Sequence, residues 1–245
     1  IEWYRGAPQA GRPYAQAAID VLEQLDAPRE LAMAYAAMAQ LHLLGETSVP
    51  ACEWGRKALV LLEGLADAEG LAYALNTVGV AQLRYEDAPE AWAQLERSRD
   101  IALAHGCESP AARAYMNSAS MGLVHRRYAK LDAACAQGIA YCEAHDMDMY
   151  LCRLHIRHAY ALLESGQWDA AEAEIAAVRQ TASLTRLESE QAAHVQALLD
   201  LRRGNDRSQA YWSEMIDGRR ALSVDPWYAP QAVVRWPEVM NPPAR

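Results

Sequence analysis

Apolar and polar positions recur along the chain with a step of forty residues. Ala18-Ile19, Leu22-Glu23 and Leu25 fall on Ala58-Leu59, Leu62-Glu63 and Leu65, and Leu31-Ala32-Met33-Ala34-Tyr35 falls on Leu71-Ala72-Tyr73-Ala74-Leu75. Tyr128 falls on Trp168, each just after a short polar turn. Units begin near 31, 71, 111 and 151, with a fifth near 189, two residues short. Self-similarity at such a period marks a stack of small supersecondary units. Each unit reads as two helices, and the pattern predicts helices over about 12–25, 28–44, 50–65, 68–84, 88–105, 110–126, 129–144, 148–164, 168–181, 187–203 and 207–222. Asp26-Ala27-Pro28, Asp87-Ala88-Pro89-Glu90 and Ser109-Pro110 each set a capping side chain before an early-turn proline, and Gly106 and Gly204 stand where a helix must stop and reverse. Asp146 and Asp148 are expected to cap the helix that follows them.

Composition sharpens this picture. The 245 residues include 49 Ala and 27 Leu against 12 Val and 7 Ile, a balance that favours helix over sheet. Charged residues at 22% and apolar ones at 52% describe an ordered chain. The net charge of −9 argues against direct nucleic-acid binding, which needs a basic face to displace counterions. No run approaches 18 apolar residues, so no membrane span is predicted. No basic and apolar leader opens the chain, and the five cysteines are odd in number and form no CxxC pair. A reducing, cytoplasmic setting is the resulting expectation.

Close helix pairing needs small residues where backbones meet. Eight residues into each unit stand Ala39, Gly79, Ala119, Ala159 and Ala197; early in the second helix come Ala51, Ala91 and Ala171, and further along it Ala58, Ser98 and Gly138. This skeleton resembles that of tetratricopeptide repeats over nearly the whole chain, with units longer than the usual period of about 34 residues. The resemblance implies an all-α, tetratricopeptide-like right-handed superhelix of about five helix-hairpin repeats of roughly 40 residues. The chain, 1–245, is thus expected to be a single helical-repeat domain, with a partial first unit over 1–26, units over 28–66, 67–107, 109–146, 147–183 and 186–222, and a tail over 223–245. The first residue is not Met, Ile1 to Arg5 resemble the remnant of an earlier helix, and Pro237, Pro242 and Pro243 interrupt the other end. These features suggest a piece of a longer protein, and unpaired terminal helices make a homo-oligomer a further expectation.

Residues 74–178 are similar to something narrower. Ala74-Leu75-Asn76 with Gly79, Leu95-Glu96-Arg97-Ser98, Ala112-Arg113-Ala114-Tyr115 with Asn117, and Gly138-Ile139-Ala140-Tyr141-Cys142-Glu143 before an acidic turn resemble the helical-repeat region of bacterial LuxR and MalT-like regulators. In that family an ATPase module precedes the repeats and a DNA-binding module often follows them. Neither carries over to this chain, which has no GxxxxGK[ST] run and no basic recognition helix. The resemblance implies the remaining role: a sensor and protein-interaction superhelix that binds a partner protein, a peptide or a small-molecule effector on its concave face. The alternative is a generic tetratricopeptide scaffold that assembles proteins and senses nothing.

Stacking equivalent first-helix positions gives candidate ladders on that face: Met33, Tyr73, Arg113, Arg153, and beside it Ala37, Thr77, Asn117, Arg157, with Asn76, Ser120 and Tyr160 as neighbours. Tyr73, Asn76, Arg113, Asn117, Arg153, Arg157 and Tyr160 are the binding candidates, since forked guanidinium and amide donors suit an acidic or polyhydroxyl ligand. Cys152, His155 and His158 recur every third position of one helix, but no acidic partner is evident in the sequence and they read as helix-packing residues, so no metal is assigned. Ser118, Ser120, His125 and Asp132 lack a nucleophile-elbow motif, and Glu172 and Glu174, two apart, face different ways. Neither catalysis nor a cofactor is expected.

Overall fold

The structure is a computed structural model, and it describes residues 8–45, 47–181, 184–205 and 209–216. The proposed remnant at 1–5 and the tail at 223–245 lie outside the described residues. Eleven helices follow one another there, with no strand among the described residues: α1 (Pro8–Leu22), α2 (Pro28–Leu44), α3 (Ser48–Leu62), α4 (Ala68–Leu83), α5 (Pro89–Ala104), α6 (Glu108–Val124), α7 (Tyr128–Ala144), α8 (Asp148–Glu164), α9 (Trp168–Gln180), α10 (Arg186–Arg202) and α11 (Gln209–Ile216). Ten of the predicted helices begin within two residues of these bounds. The exception is α1, which starts four residues early, at Pro8, and runs through Pro13. Its first turns are held from outside: Gly11 lies so close to Leu41 that a Cβ there would fall 2.9 Å from Leu41 Cδ2, and Arg12 Nη2 donates to Thr47 Oγ1 at 3.1 Å.

The helices form two compact units, 1–121 and 122–245, divided inside α6. In the first, α2 packs on α3 and α4 on α5 as hairpins, while α1 meets α2, α3 meets α4, and the first helices α2 and α4 meet directly. The apolar core there gathers Ile19, Tyr35, Met38 and Leu62 around Ala32, Ala36, Ala58 and Ala74. In the second, α8 packs on α9, α7 on α8, and α10 on both α8 and α9. The forty-residue step is visible in what each first helix buries: Ala39, Gly79, Ala119 and Ala159, then Leu43, Leu83, Leu123 and Leu163 one turn on. Two of those leucine carbonyls are capped alike within their units. Arg84 Nη1 donates to Leu43 O at 3.0 Å and Arg202 Nη1 to Leu163 O at 3.4 Å, each closing a helix end whose carbonyls have no partner inside the helix.

Turns repeat on half that step. Gly106, Arg126, Asp146 and Gly166, twenty residues apart, all take left-handed backbone (φ between 53° and 79°). After each, an amide reaches back five residues, Cys107 to Ala102 O, Arg127 to Gly122 O, Met147 to Cys142 O and Gln167 to Leu162 O, at 2.7–2.9 Å. This is the bond pattern that ends a helix through a left-handed residue, and Gly204 with Asn205 repeats it.

The capping expectations need correction. The residues at the caps of α2, α5 and α8 are Ala27, Ala88 and Met147, with no side-chain cap bond, because each expected aspartate lies one residue off the cap position. Asp87 accepts instead from Trp92 Nε1 at 2.6 Å, Asp146 forms the left-handed turn, and Asp148 enters the first turn of α8. Ser109 and Pro110 fall inside α6, which begins at Glu108. Asp67 is the aspartate that caps: it accepts from Gly70 N at 2.9 Å and from Arg29 Nε at 2.7 Å, tying the start of α4 to α2.

Helix approach is tightest at the small residues. A Cβ on Gly55 would fall 2.3 Å from Val78 Cγ2, and one on Gly79 3.0 Å from Ala91 O. At Gly122 it would meet Leu131 Cβ at 2.9 Å and Leu131 N at 3.0 Å. There the repeat has exchanged sizes, since Leu131 holds the position of Ala51, Ala91 and Ala171. Gly122→Ala is therefore expected to lower unfolding free energy by about 1–3 kcal/mol through overpacking against backbone, despite alanine's better helix propensity. Urea denaturation measures this, and an unchanged or raised midpoint would contradict so close a crossing of α6 and α7.

Candidate functional site

In the first unit the ladder residues converge. Arg113, from the first turns of α6, lays its guanidinium over the Tyr73 ring of α4, 4.4 Å from the centroid. Its Nη2 donates to Gln40 Oε1 at 2.6 Å and to Thr77 Oγ1 at 3.1 Å, and its Nη1 to Tyr73 O at 3.3 Å. Thr77 in turn donates to Tyr73 O at 3.0 Å. One α6 turn further, Asn117 Nδ2 donates to Asn76 Oδ1 at 2.5 Å, both side chains being buried. Asn76 Nδ2 is itself buried without a hydrogen-bond partner.

The chemistry of this cluster is one-sided. All acceptors of Arg113 are neutral, and among the described residues no carboxylate lies within ion-pairing reach of it. Three of its five N–H groups are used, and the unpartnered Nδ2 of Asn76 adds further donors. Stacking on Tyr73 fixes the guanidinium plane without spending donors. The face thus holds a surplus of hydrogen-bond donors and one uncompensated positive charge. Gln40, which closes the cluster from α2, was not among the candidates. It lies seven residues past Met33 and three past Ala37, on the same helix stripe, so helical spacing alone would have found it.

In the second unit the same ladder positions are engaged internally, and Arg153 is ion-paired. Arg153 Nε donates to Glu188 Oε1 of α10 at 2.8 Å, with Glu188 almost wholly buried and also receiving the Thr185 hydroxyl. Arg157 is 2% exposed and donates through Nη1 to Arg153 O at 2.9 Å. Tyr160 is equally buried, its ring 6.2 Å from that of His194. Arg153, Arg157 and Tyr160 therefore line a packed seam between α8 and α10.

The Cys152–His155–His158 row separates. Cys152 Sγ donates to Thr181 Oγ1 at 3.3 Å, while the two histidines turn to one carboxylate. His155 Nδ1 lies 2.5 Å from Glu174 Oε2, and His158 Nδ1 2.8 Å from Glu174 Oε1. The expectation that no acidic partner attends them is corrected: Glu174 of α9 is that partner, brought across the hairpin. Burial raises the Glu174 acid, but the two imidazole hydrogen bonds outweigh it and hold the group down to about 2. His158 is raised by its bond to Glu174 in spite of burial, with Asp132 of α7 adding attraction from 3.9 Å. Glu172 faces elsewhere, accepting from Arg203 Nη1 at 2.5 Å, as its two-residue offset requires. Among the described residues no three His, Cys, Asp or Glu side chains are grouped to hold a metal ion.

The remaining chemistry-bearing groups are quiet. All five cysteines are free thiols, each pushed upward chiefly by burial, Cys142 to about 11. Ser120 Oγ donates to Met116 O of its own helix at 2.8 Å. Among the described residues no helix is long and apolar enough to cross a membrane.

Arginines at two equivalent ladder positions should thus behave differently. Arg153→Met strands the buried Glu188 charge and is expected to cost about 3 kcal/mol in urea unfolding. Arg113→Met strands no charge and is expected to cost about 1 kcal/mol or less. Equal costs would contradict the division. In comparisons with known proteins, no family model matches the chain and no curated protein is significantly similar to it.

Proposed function

We propose that this chain is the sensor and protein-interaction segment of a bacterial transcriptional regulator. In this reading the repeated hairpins are tetratricopeptide-like and wind into a right-handed superhelix. A partner protein, a peptide or a small effector is held on the inner face formed by α2, α4 and α6. The longer protein supplies an ATPase module and a DNA-binding module in the cytoplasm, and the net charge of −9 leaves DNA contact to that neighbour.

The observation that carries the reading is the Arg113 cluster. A partly buried cation kept on neutral acceptors, beside a buried amide nitrogen with no partner, costs stability that an apolar face would not. A ligand bearing carbonyl or carboxylate oxygens recovers that cost on binding. Gln40, Tyr73, Thr77, Arg113, Asn76 and Asn117 belong to three successive first helices. One ligand spanning them therefore bears on their mutual packing, and a differential affinity for two packings is what an effector needs to transmit a signal.

Thermal-shift screening of the chain against metabolites and synthetic peptides tests this. The expected result is a ligand that raises the unfolding midpoint and binds Arg113→Gln at least tenfold more weakly, about 1.4 kcal/mol, while Arg97→Gln, at an exposed ion pair, binds it normally. Ligands indifferent to Arg113, or an empty screen, would remove the support for sensing on this face.

A further inference from the structure

The second unit holds two histidines in opposite environments. His158 lies in the α8–α9 hairpin with carboxylates on both sides: Glu174 of α9 at 2.8 Å from Nδ1 and Asp132 of α7 at 3.9 Å from Nε2. The other titratable groups near it are His155 and Arg157 on its own helix and the buried Cys135 thiol of α7. A second proton on this imidazole finds a carboxylate waiting and ties α7, α8 and α9 together. Glu174 remains ionised well below neutrality, so the acceptor persists as the histidine charges.

His194 of α10 is the reverse case. It is 4% exposed and enclosed by the rings of Tyr160 from α8 at 6.2 Å and of Tyr211 and Trp212 from α11 at 5.9 and 5.7 Å. Its single polar contact among the described residues joins Nδ1 to the Tyr211 hydroxyl at 2.9 Å. Among the described residues no ion pair joins it to α8, α9 or α11: Asp169 and Glu172 of α9 are engaged by Arg203, and Glu214 of α11 is engaged by another group. On its own helix, Glu190 is engaged by Arg186, and Asp200 lies nearly two turns away. Here a second proton produces a largely buried imidazolium that meets no counter-ion among the described residues.

We propose that acidification acts on this unit as a two-way switch, tightening α7, α8 and α9 through His158 while releasing α11 from α10 through His194. The pH dependence follows the two environments. His158 is raised by Glu174, so its clamp is complete below the ordinary histidine value and fades as pH rises through the raised one. Burial pushes His194 down to about 4, so docking of α11 is complete above the ordinary value and weakens as pH falls toward 4. Mildly acidic conditions therefore strengthen one end of the unit as they loosen the other.

Side-chain NMR titration of the 245-residue chain, with amide hydrogen exchange at pH 7.5 and 5.0 corrected for intrinsic rates, tests the switch. His158 should titrate above 6.5 and His194 below 5. Exchange protection over α11 should fall about tenfold or more at pH 5.0 and that over α8 and α9 should rise. His194→Asn, which keeps a donor or acceptor near Nδ1 but does not titrate, should abolish the change in α11. His158→Asn should abolish the gain in α8 and α9. A His194 titrating at 6 or above in the unmutated chain, an α11 as protected at pH 5.0 as at 7.5, or a loss in α11 that persists in His194→Asn would each overturn the proposal.

Discussion

Backbone-to-backbone approach at the helix crossings is the constraint on which the rest depends. Where Gly55 meets the Val78 side chain and Gly122 meets Leu131, there is no room for one more carbon, and where Gly79 meets the Ala91 carbonyl a Cβ would stand only 3.0 Å away. Ser98 occupies the equivalent small position of its helix, with its hydroxyl donating to Ala72 O at 2.7 Å, so the polar atom is spent on the neighbouring backbone. Alanine at Ala39, Ala58, Ala119 and Ala159 performs the same service at no cost in helix propensity. Helices this close bury their apolar stripes largely with modest side chains, in keeping with the dominance of alanine and leucine.

Once the crossings are fixed, equivalent positions on successive first helices come into line, and the polar ladders follow. Two chemical outcomes result. Arg113 remains on neutral acceptors above Tyr73, beside an amide pair with a donor to spare. Arg153 and Arg157 are drawn into a buried seam, where Glu188 pairs with Arg153 and Arg157 donates to the Arg153 carbonyl. The difference turns on one residue: α10 carries a glutamate where it reaches Arg153, and no described helix offers a carboxylate to Arg113. Unspent hydrogen-bond donors thus gather on α2, α4 and α6, while in the second unit Arg153, His155 and His158 meet carboxylates and His194 an aromatic enclosure.

Helix order and bounds were legible because the punctuation is local: the forty-residue spacing, the prolines and the turn glycines all act within a few residues. Asp146 and Arg126 show its limit, since non-glycine residues take the left-handed turn that glycine marks at 106 and 166. Caps were misplaced because a one-residue offset decides whether an aspartate meets the helix amides or, like Asp87, an indole. The ladder named Tyr73, Asn76, Arg113 and Asn117, and these side chains do meet in pairs, Arg113 on Tyr73 and Asn117 on Asn76. Glu174 and Glu188 were missed because each acts across a helix pair, 16 and 35 residues from its partner, with nothing in composition to announce the pairing. Pairing decided by packing of this kind is set by rotation of one helix against another, which residue classes alone do not encode.

A stack whose neighbours share one interface tolerates the loss of a whole step but not of part of one. Deleting residues 31–70 joins Glu30 to Leu71 and brings α4 onto α1 in the register that α2 now holds; deleting 31–68 breaks that register by two residues. Circular dichroism with urea unfolding of both deletions is the direct measurement. The forty-residue deletion should keep its helicity per residue and unfold in one cooperative transition, while the shorter deletion should lose both. Equal behaviour of the two deletions would contradict packing built on a constant forty-residue step.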